Sequence, residues 1–114
     1  MGGLRELNIK MGMPYVDQAI ARLTAEITAS KKEKYAVLKI IHGYGSSGVG
    51  GRLRTELRKY LAVQKQRGVI RNFVAGEDFS IFNMDALAMM RSCDEVRKDH
   101  DLDRSNNGIT LILL

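Results

Sequence analysis

A glycine-dense segment between two strongly patterned stretches constrains the fold of this chain more than any other feature. Residues 35–41 form a nearly continuous apolar run rich in β-branched side chains, which predicts a strand covered on both faces. Five of the nine residues from Gly43 to Gly51 are glycine, and a helical pattern follows them. So much glycine costs conformational entropy when a loop becomes ordered. Because a strand, a glycine loop and a helix in this order aim backbone N–H groups at one point, the segment indicates an α/β fold with an anion-binding loop.

Periodic patterns predict the other elements of the first half. Residues 7–11 alternate between apolar and polar side chains, which is typical of a half-buried strand, with Asn8 and Lys10 on its polar face. Apolar residues at spacings of three and four predict an amphipathic helix over residues 14–32. A second amphipathic pattern over residues 52–68 places a glycine at the helix C-cap.

The second half of the chain adds two strands and an irregular stretch between them. Residues 69–74 and 108–114 are the strands, and a third helical pattern lies within residues 75–107. Asn83 is positioned to cap this helix, and its inward side chains are expected to be Leu87, Met90 and Val96. Strands that alternate with helices predict a parallel or mixed sheet. The last strand follows no standard crossover helix, so we expect it to pair antiparallel or to lie at an edge.

The charges are unevenly distributed along the chain. Residues 1–67 contain 13 Lys and Arg against 5 Asp and Glu, whereas residues 68–114 contain 5 against 8, and the net charge is +5. A basic half-domain attracts polyanions, so nucleic acid is the expected partner.

Composition excludes several classes of protein. The chain has 114 residues, of which 45% are hydrophobic and 27% charged, so it is predicted to fold as one globular domain over residues 1–114. The single cysteine, Cys93, excludes an internal disulfide and a multi-cysteine zinc site. We find neither an apolar run of about 18 residues nor a secretion signal near the start. A cytoplasmic protein without membrane attachment is therefore expected.

The glycine segment is compatible with three interpretations. Gly43, Gly45 and Gly48 match the dinucleotide fingerprint G-x-G-x-x-G, but the segment follows the second strand and no ribose-binding carboxylate stands about 20 residues later. A phosphate-binding P-loop is excluded because no Gly-Lys-Ser/Thr follows. A nucleic-acid backbone site is favoured, since basic residues open the next helix. A solvated surface loop, or the binding of a nucleotide or another small anion, remains the alternative.

The same residues resemble a known family. His42-Gly43-Tyr44-Gly45 at the end of a strand, followed by a basic helix, is similar to the hallmark of the small-MutS-related (Smr) domain. Gly108-Ile109-Thr110 resembles the closing Gly-x-Thr strand of that family. The resemblance covers residues 4–74 and 108–114, and residues at about 77–106 resemble an insertion.

The resemblance implies a fold, a function and an enzyme class. The implied fold is a two-layer α/β sandwich with a mixed sheet and the order βαβαβ, an inserted helix and β, similar to the C-terminal domain of bacterial translation initiation factor three. The implied function is binding of DNA or RNA, and in many members endonuclease cleavage. The expected nucleic-acid-binding residues are Lys10, His42, Gly43, Tyr44, Gly45, Ser46, Ser47, Gly48, Arg52, Arg54, Arg58 and Lys59.

One departure from the family bears on catalysis. The family motif Leu-Asp-x-His on the first strand reads Leu7-Asn8-Ile9-Lys10 here, so both members of the Asp/His pair are replaced. Asn8 cannot act as a carboxylate base, and Lys10 does not titrate near neutrality as a histidine does. We therefore expect weak or absent nuclease activity. The alternative is an active Smr-type endonuclease in which His42 is the catalytic acid or base, and the competing interpretation of His42 is a structural residue.

An acidic run in the second half has two interpretations. Asp99, Asp101 and Asp103 resemble the start of a calcium-binding EF-hand loop, but Arg104 and Thr110 replace the required glycine and glutamate. No metal ligand is therefore assigned, no cofactor is expected, and a divalent metal stays open. A solvated acidic loop is the favoured interpretation, and a loop that folds over the basic half is the alternative.

Overall fold

The computed structural model describes residues 2–43 and 49–114, with the side chains of residues 49 and 50 excepted. Within these residues, strands and helices alternate through the first half, and three short helical segments precede the last strand. The elements are β1 (Leu4–Asn8), α1 (Val16–Lys32), β2 (Val37–Ile41), α2 (Val49–Gln66), β3 (Asn72–Ala75), a 3-10 turn (Gly76–Asp78), α3 (Met84–Ser92), α4 (Asp94–Arg97) and β4 (Ile109–Leu113).

The described strands form one mixed sheet in the order β1-β2-β4-β3. β1 pairs parallel with β2, whereas β4 pairs antiparallel with both β2 and β3. The prediction of a mixed α/β fold is confirmed. The antiparallel pairing of the last strand is confirmed as well, but β4 lies in the interior of the sheet and not at its edge.

Helices cover both faces of this sheet. α1 and α2 pack on one face through an apolar cluster that includes Leu23, Leu57, Ile40 and Ile112. Residues 79–96 cover the other face through a second cluster, which includes Met89, Val37 and Leu111. The two-layer expectation describes α1, α2 and the sheet, and α3 and α4 add a third layer. Leu87 is half-buried, and Val96 lies on α4, not on α3.

Local sequence explains where the helices begin and end. The Tyr15 N–H donates to Gln18 Oε1 (2.9 Å) at the start of α1, and the Asn83 side chain accepts from the Ala86 N–H (2.9 Å) at the start of α3. α2 ends as predicted, because the Gly68 N–H donates to the Lys65 carbonyl (3.1 Å) in a hydrogen bond typical of a glycine C-cap.

Two strand boundaries differ from the prediction. β1 ends at Asn8, and residues 9–12 form a turn in which the Arg22 guanidinium donates to the carbonyls of Ile9 (3.2 Å) and Met11 (3.0 Å). Lys10 therefore lies in this turn and not on a strand face. β3 begins at Asn72 because residues 67–71 form the C-cap and a bend that follow α2.

None of the helices in the described part of the chain has the length and apolar character that a bilayer crossing requires.

Candidate functional site

The carboxyl end of β2 carries the residues that the sequence singled out. His42 and Gly43 follow β2 directly, and both of their N–H groups donate to the Gly108 carbonyl (3.0 Å each). Gly43 has a φ of +76°, in the left-handed region that favours glycine. The backbone of His42 and Gly43 is thus fixed against the residue that precedes β4.

Hydrogen bonds determine which tautomer His42 adopts. Its Nδ1 lies 2.9 Å from the Gly43 carbonyl oxygen, which can only accept, so Nδ1 carries the proton. Its Nε2 lies 2.8 Å from Thr110 Oγ1. Because Nε2 then bears a lone pair, it accepts from the Thr110 hydroxyl. Both ring nitrogens of His42 are occupied within the protein.

Arg58 of α2 completes this network from the helix side. Its Nε donates to Thr110 Oγ1 (3.0 Å), and its Nη2 donates to the Ile109 carbonyl (3.0 Å). Its two terminal nitrogens also hold the carboxylate of Glu77 in a bidentate pair at 2.8 and 2.9 Å. The hydrogen bonds between these three residues therefore share one direction, since Arg58 donates to Thr110 and Thr110 donates to His42. Arg58, which the sequence offered as a phosphate contact, is already engaged with described residues.

Electrostatics keep His42 neutral. Its side chain is buried, and this burial lowers its pKa to about 4, with the positive charges of Arg58 and Arg54 acting in the same direction. Burial alone would raise the pKa of Glu77, but the hydrogen bonds from Arg58 outweigh it and the pKa falls below its ordinary value. At neutral pH the network therefore contains an ionised Arg58–Glu77 pair and a neutral imidazole.

The predicted basic residues of α2 do not form one stripe. Arg54 and Arg58 are one helical turn apart, on the flank of α2 that faces His42. Arg52 and Lys59 are two turns apart on a different, exposed face. Lys59 pairs with Glu56 (3.3 Å). The structure thus brings His42 together with Arg54 and Arg58 and separates them from Arg52 and Lys59.

The first-strand positions lie elsewhere. Asn8 pairs in register with Ile41, and register neighbours in a sheet point to the same face. Ile41 packs with the cluster around α3, so Asn8 faces away from His42 and Thr110. The expectation that Asn8 and Lys10 share the polar face of one strand was wrong, because β1 ends before Lys10. Among the described residues, Asn8 Oδ1 is buried without a hydrogen-bond partner.

Five predicted binding residues, Tyr44, Gly45, Ser46, Ser47 and Gly48, lie outside the described residues.

A second charged cluster stands on the opposite face of the sheet. The buried ammonium of Lys39 on β2 donates to Asp99 (2.9 Å) and Asp101 (2.6 Å). Burial alone would lower the pKa of Lys39, but the two carboxylates raise it. The interpretation of this run as a solvated loop was wrong for Asp99 and Asp101, because they pair with Lys39 inside the protein. Asp99, His100 and Asp101 place ligand atoms within 4.8 Å of one another, and Lys39 supplies the positive charge that a metal ion would bring.

Two features of these clusters escaped the sequence analysis. Nothing local marks Glu77 as the partner of Arg58, since the two meet only because Gly76 packs against the backbone before β4. A Cβ at Gly76 would lie 1.9 Å from the Asn106 carbonyl oxygen, so only glycine allows this approach. Lys39 did leave a signal, because a lone lysine in a buried apolar strand needs a carboxylate partner.

Comparison with known proteins identifies the family. No curated protein and no solved structure matches the chain, so the expected likeness to the C-terminal domain of bacterial translation initiation factor three stays a prediction. The model of the Smr domain matches residues 11–77, which run from the turn after β1 through α1, β2, α2 and β3 to Glu77. Because this match covers more than half of the sequence, the chain belongs to the Smr domain family.

Proposed function

We propose that this protein binds DNA or RNA at the carboxyl end of β2 and along the amino-terminal half of α2. One observation carries the proposal. In a chain of the Smr family, Arg54 lies one helical turn before Arg58 on α2, near enough to His42 for its charge to lower the pKa of that imidazole. The glycine-dense residues 44–48 lie between His42 and Arg54 in sequence. A cation beside a glycine loop that enters a helix suits a phosphodiester backbone.

Arg54 is the better phosphate ligand of the two neighbouring arginines. Arg58 is neutralised by Glu77 and holds Thr110 and Ile109. Arg54 forms no ion pair with another described residue. We therefore assign Arg58 a positioning role toward Thr110 and His42, and Arg54 the contact with phosphate. Arg52 and Lys10 are further cations available to an extended strand.

The same geometry argues against strong nuclease activity. The family's Asp/His pair is replaced by Asn8 and Lys10, and Asn8 faces away from His42. His42 is neutral with both nitrogens occupied. A well-placed general base contributes about 10²–10⁴ in rate. The protein is thus proposed to bind nucleic acid and to cut it slowly or not at all.

A binding titration tests this proposal. Fluorescence anisotropy with labelled single- and double-stranded DNA and RNA should show an affinity that falls with salt, with a log–log slope of about −2 to −4 for three or four phosphate contacts. Arg54→Ala should weaken binding and reduce the slope by about one.

The matched control is Arg97→Ala, which removes an exposed arginine from α4. It should leave affinity and slope unchanged. A protein that binds none of the four nucleic acids, or an Arg54→Ala variant with unchanged slope, contradicts the proposal. Robust cleavage with Mg²⁺ that is lost in His42→Ala would establish the endonuclease alternative instead.

A further inference from the structure

An apolar cleft lies between the amino-terminal ends of α1 and α2. Its volume is about 640 Å³, within the range of ligand pockets. Pro14, Val16, Ile20 and Leu53 form its walls. Its charged lining residues are Asp17 and Arg52.

Exposed apolar side chains accompany this cleft. Tyr15 lines it and is 78% exposed, and the preceding Met11 and Met13 are 68% and 77% exposed. Arg22 fixes the turn that carries the methionines through its two hydrogen bonds to backbone carbonyls. A preordered surface that leaves an aromatic ring and two adaptable thioethers in water is typical of a binding site.

We propose that this cleft receives an unpaired base of a nucleic-acid strand, with Tyr15 stacked on the base. This inference rests on the proposed function and extends it to a preference for single-stranded segments. Aromatic stacking contributes about 1–3 kcal/mol per base and tolerates any base, because every base has a π-face.

The charges favour a base over other occupants. Arg52 provides one cation for the phosphate that is attached to a bound nucleotide. Asp17 repels a phosphate inside the cleft, but its carboxylate accepts hydrogen bonds from the amino edge of a base. The apolar walls suit the flat ring of a base, and the Arg52 cation suits the phosphate backbone of the strand. Bases within a duplex are stacked and paired, so only an unpaired base enters.

Basic residues beside the cleft support the same occupant. Arg52 lines the cleft at the amino-terminal end of α2, on a different face of that helix from Arg54. Lys10, in the turn after β1, lies one residue before Met11. The exposed apolar patch therefore has one cation on each side: Lys10 precedes its methionines, and Arg52 lines its cleft from α2.

Tyr15→Ala tests the proposal with little risk to folding. The ring is exposed, and the hydrogen bond at the start of α1 uses the backbone N–H of Tyr15, which alanine retains. Anisotropy titrations with a labelled 20-nucleotide strand and with its duplex should show a loss of affinity of about 5- to 150-fold for the single strand. Affinity for the duplex should change less than twofold.

Phe82→Ala is the matched control, because Phe82 is an aromatic residue with 88% exposure in the segment before α3. It should bind both nucleic acids as the unaltered protein does. A strand that contains 2-aminopurine reports stacking directly, since its fluorescence should be quenched by the unaltered protein and not by Tyr15→Ala.

The outcomes separate this inference from the proposed function. If the unaltered protein binds no nucleic acid, the proposed function fails and this inference with it. If the protein binds, but Tyr15→Ala retains single-strand affinity or loses duplex affinity equally, only the inference is overturned. An equal loss in Phe82→Ala also overturns it.

Discussion

At the scale of single residues, every donor direction around His42 is determined. The Gly43 carbonyl requires a proton on Nδ1, and the Thr110 hydroxyl donates to Nε2 because Arg58 donates to its oxygen. Protonation of Nε2 would set two donors against each other in a buried site. Burial, together with the positive charges of Arg58 and Arg54, lowers the pKa of His42 to about 4, so the neutral tautomer that these hydrogen bonds require is the form present at neutral pH.

The protonation state of His42 is directly measurable. Nitrogen-15 NMR of the imidazole should show the Nδ1–H tautomer, unchanged from pH 8 to about pH 5, and a midpoint at about pH 4. His100 is exposed and supplies a separate reference signal in the same spectrum. A midpoint above pH 6 for His42 would contradict this network and restore His42 as an acid–base candidate.

The same shift couples stability to pH. An unfolded chain takes up a proton at His42 below about pH 6.5, whereas the folded protein does so only near pH 4. Stability should therefore fall as pH falls from 7 to 5, by about 2 kcal/mol from this residue. Urea unfolding at the two pH values measures it, and a His42→Gln variant should lack this component whatever its own stability.

At the scale of elements, the pair between β2 and the segment before β4 ties the third layer to the sheet. Lys39 projects from the middle of β2, and Asp99 and Asp101 follow α4. Burial alone would raise the pKa of Asp101, but hydrogen bonds from Asn106 and Lys39 outweigh it and lower the pKa. Asp101 thus contributes stability above its unfolded pKa of about 4, which is lost as pH falls through the lower folded value.

Lys39→Met should destabilise the protein, because it removes the cation that pairs with Asp99 and Asp101. Two buried carboxylates without a cation should destabilise the protein by about 3–5 kcal/mol at pH 7, as urea unfolding measures. Because these carboxylates then favour protons, the loss of stability relative to the parent should become smaller as pH falls from 7 to 5. Lys98→Met, which removes the exposed partner of Asp94, should cost less than about 0.5 kcal/mol.

If Lys39→Met fails to fold, a triple variant keeps this prediction testable. Asp99→Asn and Asp101→Asn remove the uncompensated charges, so their addition should recover most of the lost stability. A single variant as stable as the parent, or no recovery in the triple variant, would show that the pairs contribute little.

Sequence periodicity was sufficient to predict the helices, but it could not predict which side chains from different elements pair with each other. α1 and α2 could be predicted because apolar residues recur at helical spacing and cap residues mark the ends. The Arg58–Glu77 pair could not be predicted, because Glu77 reaches Arg58 through the packing of Gly76 against the backbone before β4. Lys10 was misplaced because the alternation of residues 7–11 continues into a turn. Periodicity reports burial, and Ile9 is buried in that turn as it would be in a strand.

At the scale of the whole molecule, residues beyond the family match complete the core. The match ends at residue 77, yet the second apolar cluster draws Phe79, Met89 and Val96 from later residues. They cover Val37 and Leu111 on a face of the sheet that would otherwise meet water. The later segment is therefore structural, whatever else it does.

Removing that segment should unfold the protein. The Asp103 N–H donates to the Phe79 carbonyl (3.0 Å), so a link of about four glycines and serines can replace residues 80–102 without stretching the chain. The shortened chain should lose cooperative thermal unfolding and bind a hydrophobic dye such as ANS. Phe82→Ala, a change within the segment at an exposed position, should unfold as the parent does. A shortened chain that unfolds cooperatively and binds no dye would show that residues 1–79 and 103–114 suffice for folding.

The interior position of β4 determines when this protein can fold during its synthesis. β2 and β3 do not touch each other within the sheet, because β4 lies between them. Before residues 109–113 are made, the β1–β2 pair and the single strand β3 therefore have open edges. Their bridging strand emerges only with residues 109–113, so the nascent chain must stay unaggregated until then. Its dependence on chaperones during translation should thus exceed that of a protein whose strands pair in the order they are made.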